Sequence, residues 1–172
     1  MKALFLDRDG VLNVLRPNDY VKCPAELELL PGVKEAMALL HKHYDLILIV
    51  TNQQGIGKGL MTEADLAAVH SKLQEELGNT VDHIYYCPEL ERAHSFRRKP
   101  NIGMALQARR DYPDLRLKDS VMVGDSMTDM LFGRRAGMQT VLVGENSDVW
   151  QRLPHLVDYR YPTLLHYAQS LQ

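Results

Sequence analysis

Asp7 and Asp9 stand one residue apart at the end of a short apolar run, Ala3 to Leu6, with Gly10 close behind. Two carboxylates this close repel each other, so the pair calls for a bound cation or a shared proton. Comparable polar groups recur along the chain. Thr51, Asn52 and Gln53 close a second apolar run, Arg98 and Lys99 precede Pro100, and Asp125 and Asp129 follow Gly124. Hard carboxylate oxygens suit Mg2+, which binds through one or two carboxylates, keeps several waters and takes phosphate oxygens as its other ligands. A lysine ammonium and free backbone N–H groups suit the phosphate itself. An aspartate can also act as nucleophile and form an aspartyl-phosphate, while a second carboxylate protonates the leaving oxygen and later deprotonates water.

The elements that must position these groups follow from the patterning. Ala3–Leu6 reads as a short strand apolar on both faces, Leu46–Thr51 as a continuous apolar strand, and His83–Tyr86, Ser120–Val123 and Thr140–Val143 as further short strands. Helices are expected between them. One starts after Pro31-Gly32 with Val33, Ala36, Met37 and Leu40 on one stripe. Another opens at a Thr62/Asp65 capping box and carries Leu66, Val69, Leu73 and Leu77. A third spans about Gly103 to Tyr112, and a fourth follows Asp125 with Met127, Met130 and Leu131 as its packing residues. The tail alternates at Val157, Tyr159 and Tyr161 before a closing helix. Strand and helix in alternation imply a parallel sheet covered by helices on both faces. Right-handed crossovers then bring the strands' carboxyl ends, and the polar clusters on them, to one edge. Lys99 differs in kind, because it precedes a helix.

The remaining features set bounds. A chain of 172 residues predicts one domain over 1–172. A net charge of -2 without a basic stripe argues against a nucleic-acid partner. No apolar run approaches the roughly 18 residues of a membrane span. Two cysteines, Cys23 and Cys87, fit a reduced, cytoplasmic setting, and no signal peptide is expected ahead of the first strand. A monomer is the default. The Gly55–Gly59 stretch fails the P-loop template, since Gly59 follows Lys58 where Ser or Thr is needed, and Leu60 breaks the dinucleotide fingerprint.

Asp7-Arg8-Asp9-Gly10, Thr51-Asn52, Lys99 and Gly124-Asp125-Ser126 with Asp129 resemble, in order, the four motifs of the haloacid dehalogenase (HAD) superfamily of phosphatases. The resemblance implies a three-layer, Rossmann-like α/β fold and a small phosphate ester as substrate. It implies Asp7 as nucleophile and Asp9 as general acid/base. Mg2+ would be held by Asp7, the Asp9 carbonyl and Asp125, with Asp129 in support, and the phosphoryl group by Thr51 and Lys99. Asn52, Gln53 and Arg98 are further candidates for substrate binding.

The stretches Asp7–Asn13, Thr51–Ile56, Tyr85–Pro88 and Arg98–Pro100 are similar to the subgroup that holds heptose 1,7-bisphosphate and histidinol-phosphate phosphatases. That subgroup commonly carries a zinc loop. Here Cys87 matches its first ligand, but Glu89, Ser95 and Arg97 replace the other three, so no structural zinc is expected. The intervals 11–31 and 88–98 are too short for a cap domain. Specificity then falls to loops 13–28, 52–60 and 88–98, with Arg92, Arg97 and above all Arg98 as partners for a second anionic group. A polynucleotide 3′-phosphatase and a phospho-receiver domain are the competing readings. The charge balance opposes the first. Cys87, where a receiver keeps its phosphate-accepting aspartate, opposes the second.

Overall fold

The computed structural model describes residues 1–145 and 147–172. At its centre is β1 (Ala3–Leu6), whose side chains alternate between two cores. Leu4 and Leu6 face one and Ala3 and Phe5 the other, all completely buried. This is why the run is apolar without alternation: a strand covered on both faces has no polar side.

β1 is flanked by β2 (Leu46–Asn52) and β4 (Val121–Gly124), with Leu4 in register with Ile47 and Leu6 with Val123. Beyond β2 lies β3 (His83–Cys87); beyond β4 lie β5 (Gln139–Val143) and β6 (Tyr159–Tyr161). The order is β3-β2-β1-β4-β5-β6, and every pairing is parallel. The expected strands are all present, and the tail alternation resolves into β6.

Helices α1 (Val33–Leu40), α3 (Glu63–Glu76) and α7 (Leu164–Ser170) cover one face. Helices α4 (Gly103–Asp111) and α5 (Met127–Arg135) cover the other. The four residues read as the stripe of α1 are all buried, and the Thr62/Asp65 capping box forms at the start of α3. Gly133 lets α5 lie on the sheet, since a Cβ there would stand 2.7 Å from Thr140 Cγ2.

Three local features differ from the pattern reading. The Gly-rich loop after β2 contains a helical turn, α2 (Gln54–Gly57), and a short α6 (Ser147–Arg152) follows β5. On α5 only Met130 of the three packing residues named is fully buried; Met127 is exposed and Phe132 fills the core instead, edge-on to Phe5. The intervals 11–31 and 88–98 hold only 3-10 turns, at Pro24–Glu26 and Glu91–Ala93. No helix among the described residues is long and apolar enough to cross a membrane.

Candidate active site

Asp7 is the first residue beyond β1, and its N–H donates to Val123 O at 3.0 Å, holding it beside the end of β4. The chain then wraps tightly around the Arg8 carbonyl, which accepts from Leu12 N at 2.8 Å and Asn13 N at 3.2 Å. Gly10 makes this turn possible. Its φ is +84°, and a Cβ there would stand 2.0 Å from Asp125 Oδ2. The turn therefore presses directly against the carboxylate that follows β4.

The turn sends the two aspartates into different surroundings. Asp7 Oδ1 accepts from Lys99 Nζ at 2.9 Å and from the Arg8 N–H at 2.8 Å. Asp9 Oδ1 accepts from Arg8 Nη2 and Asn13 Nδ2, both at 2.9 Å, and its Oδ2 accepts from Gln53 Nε2 at 3.0 Å. Burial, and then the charge of Asp129, push the Asp7 carboxyl well above its usual range despite Lys99. Burial also opposes the charge on Asp9, but Arg8, Asn13 and Gln53 together outweigh it and hold that carboxyl below its usual range.

Asp129 sits in the first turn of α5 and caps it: Ser126 Oγ donates to Asp129 Oδ2 at 2.7 Å, and the N–H groups of Asp125 and Ser126 donate to the same oxygen at 3.2 Å. Its other oxygen accepts from Lys99 Nζ at 2.7 Å. Lys99 is thus buried between Asp7 and Asp129; burial disfavours its charge, but the two carboxylates prevail and hold its pKa above the ordinary lysine value. Gly124 allows the close packing, because a Cβ there would stand 2.2 Å from that of Asp129. Asp125 is pushed up to about 7, chiefly by burial and then by Asp129.

Carboxylate oxygens of Asp7, Asp125 and Asp129 lie within 4.8 Å of one another. A divalent cation fits this donor set: hard oxygens converge, and the raised Asp7 and Asp125 mark a surplus of negative charge that a cation would relieve. Both Asp129 oxygens are engaged by Lys99 and the helix cap, so Asp7 and Asp125 would hold the ion and Asp129 would support it.

The residues expected at the site gather at one sheet edge. Asp7, Asp9, Asn52, Lys99, Asp125 and Asp129 line a common cavity of about 260 Å³, near the small end of the roughly 300–1,000 Å³ of small-molecule sites. Thr51 and Gln53 are buried behind it, and Gln53 Nε2 bonds both Thr51 Oγ1, at 2.7 Å, and Asp9. Arg98 is not among its lining residues, and the Arg97 guanidinium donates to Tyr86 O at 2.8 Å. In their stead Arg16, with Leu15, Asp19 and Tyr20, forms the cavity's wall. Loop 13–28 was legible as a wall, but nothing in the sequence marks Arg16 over the arginines of 88–98. Arg8 and Asn13, the supports of Asp9, carry no separate signal. In the former zinc-loop positions, Cys87 Sγ donates to Glu89 Oε2 at 2.6 Å.

A family model described as HAD-hydrolase-like matches residues 96–164. The D-glycero-alpha-D-manno-heptose-1,7-bisphosphate 7-phosphatase of Mycobacterium bovis is 40% identical over 131 residues, covering 74% of this chain and 69% of the relative. The D-glycero-beta-D-manno-heptose-1,7-bisphosphate 7-phosphatase of Escherichia coli O6:H1 is 34% identical and covers 99% of this chain and 94% of its own. Among solved structures, the D,D-heptose 1,7-bisphosphate phosphatase from B. bronchiseptica, complexed with magnesium and phosphate, superposes with a TM-score of 0.89 at 34% identity, covering 99% and 98% of the two chains. With this fold, this edge and these relatives, the chain belongs to the HAD superfamily of phosphatases, enzymes that hydrolyse phosphate esters.

Proposed function

We propose that this chain is a Mg2+-dependent phosphomonoesterase that works through an aspartyl-phosphate on Asp7 and takes a heptose 1,7-bisphosphate as substrate. The observation that carries the mechanism is the unequal treatment of the two aspartates. Asp7 faces Lys99 at 2.9 Å and the carboxylate cluster, whereas Asp9 sits in a cradle of three donors from Arg8, Asn13 and Gln53. The substrate class rests on the heptose bisphosphate phosphatases among its relatives, named for both the alpha and the beta anomer.

In the first half-reaction an Asp7 carboxylate oxygen attacks phosphorus, the bond from phosphorus to the sugar oxygen breaks, and Asp9 gives that oxygen a proton. In the second, water attacks phosphorus, its proton passes to Asp9, and the aspartyl–phosphorus bond breaks to release inorganic phosphate and the Asp7 carboxylate. Arg8 keeps Asp9 ionised in the free enzyme, which suits the second half. The proton for the first half can arrive with the substrate, since a phosphate monoester loses its second proton near pH 6, so about a tenth is monoanionic at neutrality. Lys99 offsets charge on the transferring group. Bound between Asp7 and Asp125, Mg2+ would polarise a phosphoryl oxygen and neutralise charge that develops there.

Phosphate release should be measured across sugar monophosphates, both heptose 1,7-bisphosphate anomers, histidinol phosphate and a 3′-phosphorylated oligonucleotide, with Mg2+ and with chelator. Turnover of a heptose bisphosphate that stops with chelator and with Asp7→Asn is the expected result. Undiminished activity of Asp7→Asn would sink the mechanism. Preference for histidinol phosphate or the oligonucleotide would sink the substrate.

A further inference from the structure

Arg8 lies between the two aspartates and none of its surface reaches solvent. A buried guanidinium is unfavourable unless its charge and its donors are met. Its Nη2 donates to Asp9 Oδ1 at 2.9 Å, and its Nη1 lies 3.1 Å from Nε2 of His70. Its Nε meets no acceptor among the described residues. The guanidinium is therefore tethered at two points, one of them the carboxylate assigned to proton transfer.

His70 comes from the buried stripe of α3, beside Leu66, Val69 and Leu73, and is 9% exposed. A guanidinium can only donate, so Nε2 of His70 accepts and the imidazole proton sits on Nδ1. Burial, and then the charge of Arg8, push His70 down to about 3, which keeps the ring neutral and the acceptor available. The ring's other neighbour is Tyr86 of β3, edge-on at 6.2 Å between centroids. An apolar residue would fill this site as well as His70, and without stranding a donor if Arg8 were absent. Among the described residues, Arg8 is the polar partner of the imidazole.

We propose that Arg8 and His70 are positioning residues for Asp9: the imidazole sets the orientation of the guanidinium, and the guanidinium sets the direction from which Asp9 delivers and receives its proton. The chain of contacts runs from α3 through Arg8 to the Asp9 carboxylate, the group assigned to proton transfer. This inference rests on Asp9 acting as general acid/base. It goes beyond that reading by assigning a catalytic consequence to a helix whose stripe otherwise only packs.

The test uses the full chain with His70→Leu, His70→Gln and Arg8→Lys, each carried forward on a cooperative melt. Two esters are compared: an alkyl phosphate, whose alkoxide needs a proton to leave, and 4-nitrophenyl phosphate, whose phenolate needs it far less. For the aryl ester the burst of nitrophenolate is followed, because it reports formation of the phosphoenzyme alone. His70→Leu should lower kcat on the alkyl ester about tenfold or more, with KM within about twofold. The aryl burst should stay within about threefold of the parent. His70→Gln, whose amide oxygen can accept from Arg8, should recover most of the loss. Should His70→Leu not fold, Arg8→Lys, which keeps the charge but loses the second tether, must show the same dependence on the ester. Equal losses on both esters, a change in KM alone, or no recovery with glutamine would overturn the inference and leave the phosphatase reading intact. A parent enzyme inactive on both esters would overturn both.

Discussion

Asn52 grips Lys99 by its backbone with both ends of one amide. The Lys99 N–H donates to Asn52 Oδ1 at 3.0 Å, and Asn52 Nδ2 donates back to Lys99 O at 3.1 Å. Lys99 belongs to no strand, so the sheet does not hold it directly. The clamp ties it to the end of β2, and from there its ammonium reaches Asp7 and Asp129. The asparagine after Thr51 thus serves the site by fixing where the lysine's charge stands.

Asn52→Ala should therefore behave as a weakened lysine variant. It leaves a backbone donor and acceptor of Lys99 unpaired, and misplacement of a catalytic group by about 1 Å can lower the rate roughly a hundredfold. A kcat reduced about tenfold to a hundredfold, in a protein that still melts cooperatively, is the expected outcome of steady-state assays. A kcat within twofold of the parent would show that Lys99 is held by its ion pairs alone.

Gly10→Ala should damage metal binding before it damages folding. The added Cβ would fall 2.0 Å from Asp125 Oδ2, at a φ of +84° that L side chains rarely adopt. The Asp125 carboxylate or the turn must then shift. The Mg2+ concentration needed for half-maximal activity should rise by about tenfold or more, as when an outer support of a metal site is lost. Titration of activity with Mg2+, or calorimetry, reads this directly.

The metal-free protein should be less stable as pH rises from about 4 to about 7. Asp125 is raised from the ordinary aspartate value of 3.8 to about 7, and Asp7 is raised as well. For these two carboxyls the folded state binds more protons than the unfolded chain in that window, so both lower stability as pH rises. His70, held down to about 3, acts in the opposite direction up to its ordinary 6.5, and the fall is the excess of two carboxyls over one imidazole. Asp9 has the opposite sign, but its contribution is present above 3.8 and is lost only as pH falls through its lowered value, outside the window. Mg2+ requires the ionised carboxylates, so its stabilising effect should grow as pH rises through 7. Melting curves with and without Mg2+ at about pH 5 and about pH 8 give the comparison; equal increments would count against Asp125 as a ligand.

The segment 88–98 should owe its shape to hydrogen bonds. Besides the Cys87–Glu89 contact, Asn101 Nδ2 donates to Ser95 O at 3.0 Å and Gly103 N to Phe96 O at 3.0 Å. Asn101→Ala should lower stability by about 1 kcal/mol, the usual worth of one such bond. A zinc-selective chelator should leave the melting temperature unchanged. A chelator-induced drop would reveal a metal tie that these contacts do not need.

The sheet and its edge were legible in the sequence because strands buried on both faces must be apolar throughout, and because handed crossovers put their carboxyl ends together. Helix α1 was legible for the same kind of reason: one stripe, one buried face. Boundaries that depend on single turns, such as α2 and α6, were not; so short a helix has no periodicity to show. Met127 misled because a residue at the first position of α5 can point past the core that Phe132 fills.

For the site, the local pattern determined which residue types meet, since Asp7, Thr51 and Asp125 each end a strand of one sheet. Which of them hold one another was decided only by tertiary structure. Asn52 and Lys99 are 47 residues apart, Arg8 and His70 are 62 apart, and Lys99 and Asp7 are 92 apart. Such pairs depend on how a helix seats on a sheet and how a loop folds back, and no spacing in the chain encodes that geometry. The difference between two neighbouring aspartates, one facing Lys99 and one cradled by Arg8, arises there: the turn at Gly10 aims them apart, and distant segments supply their partners.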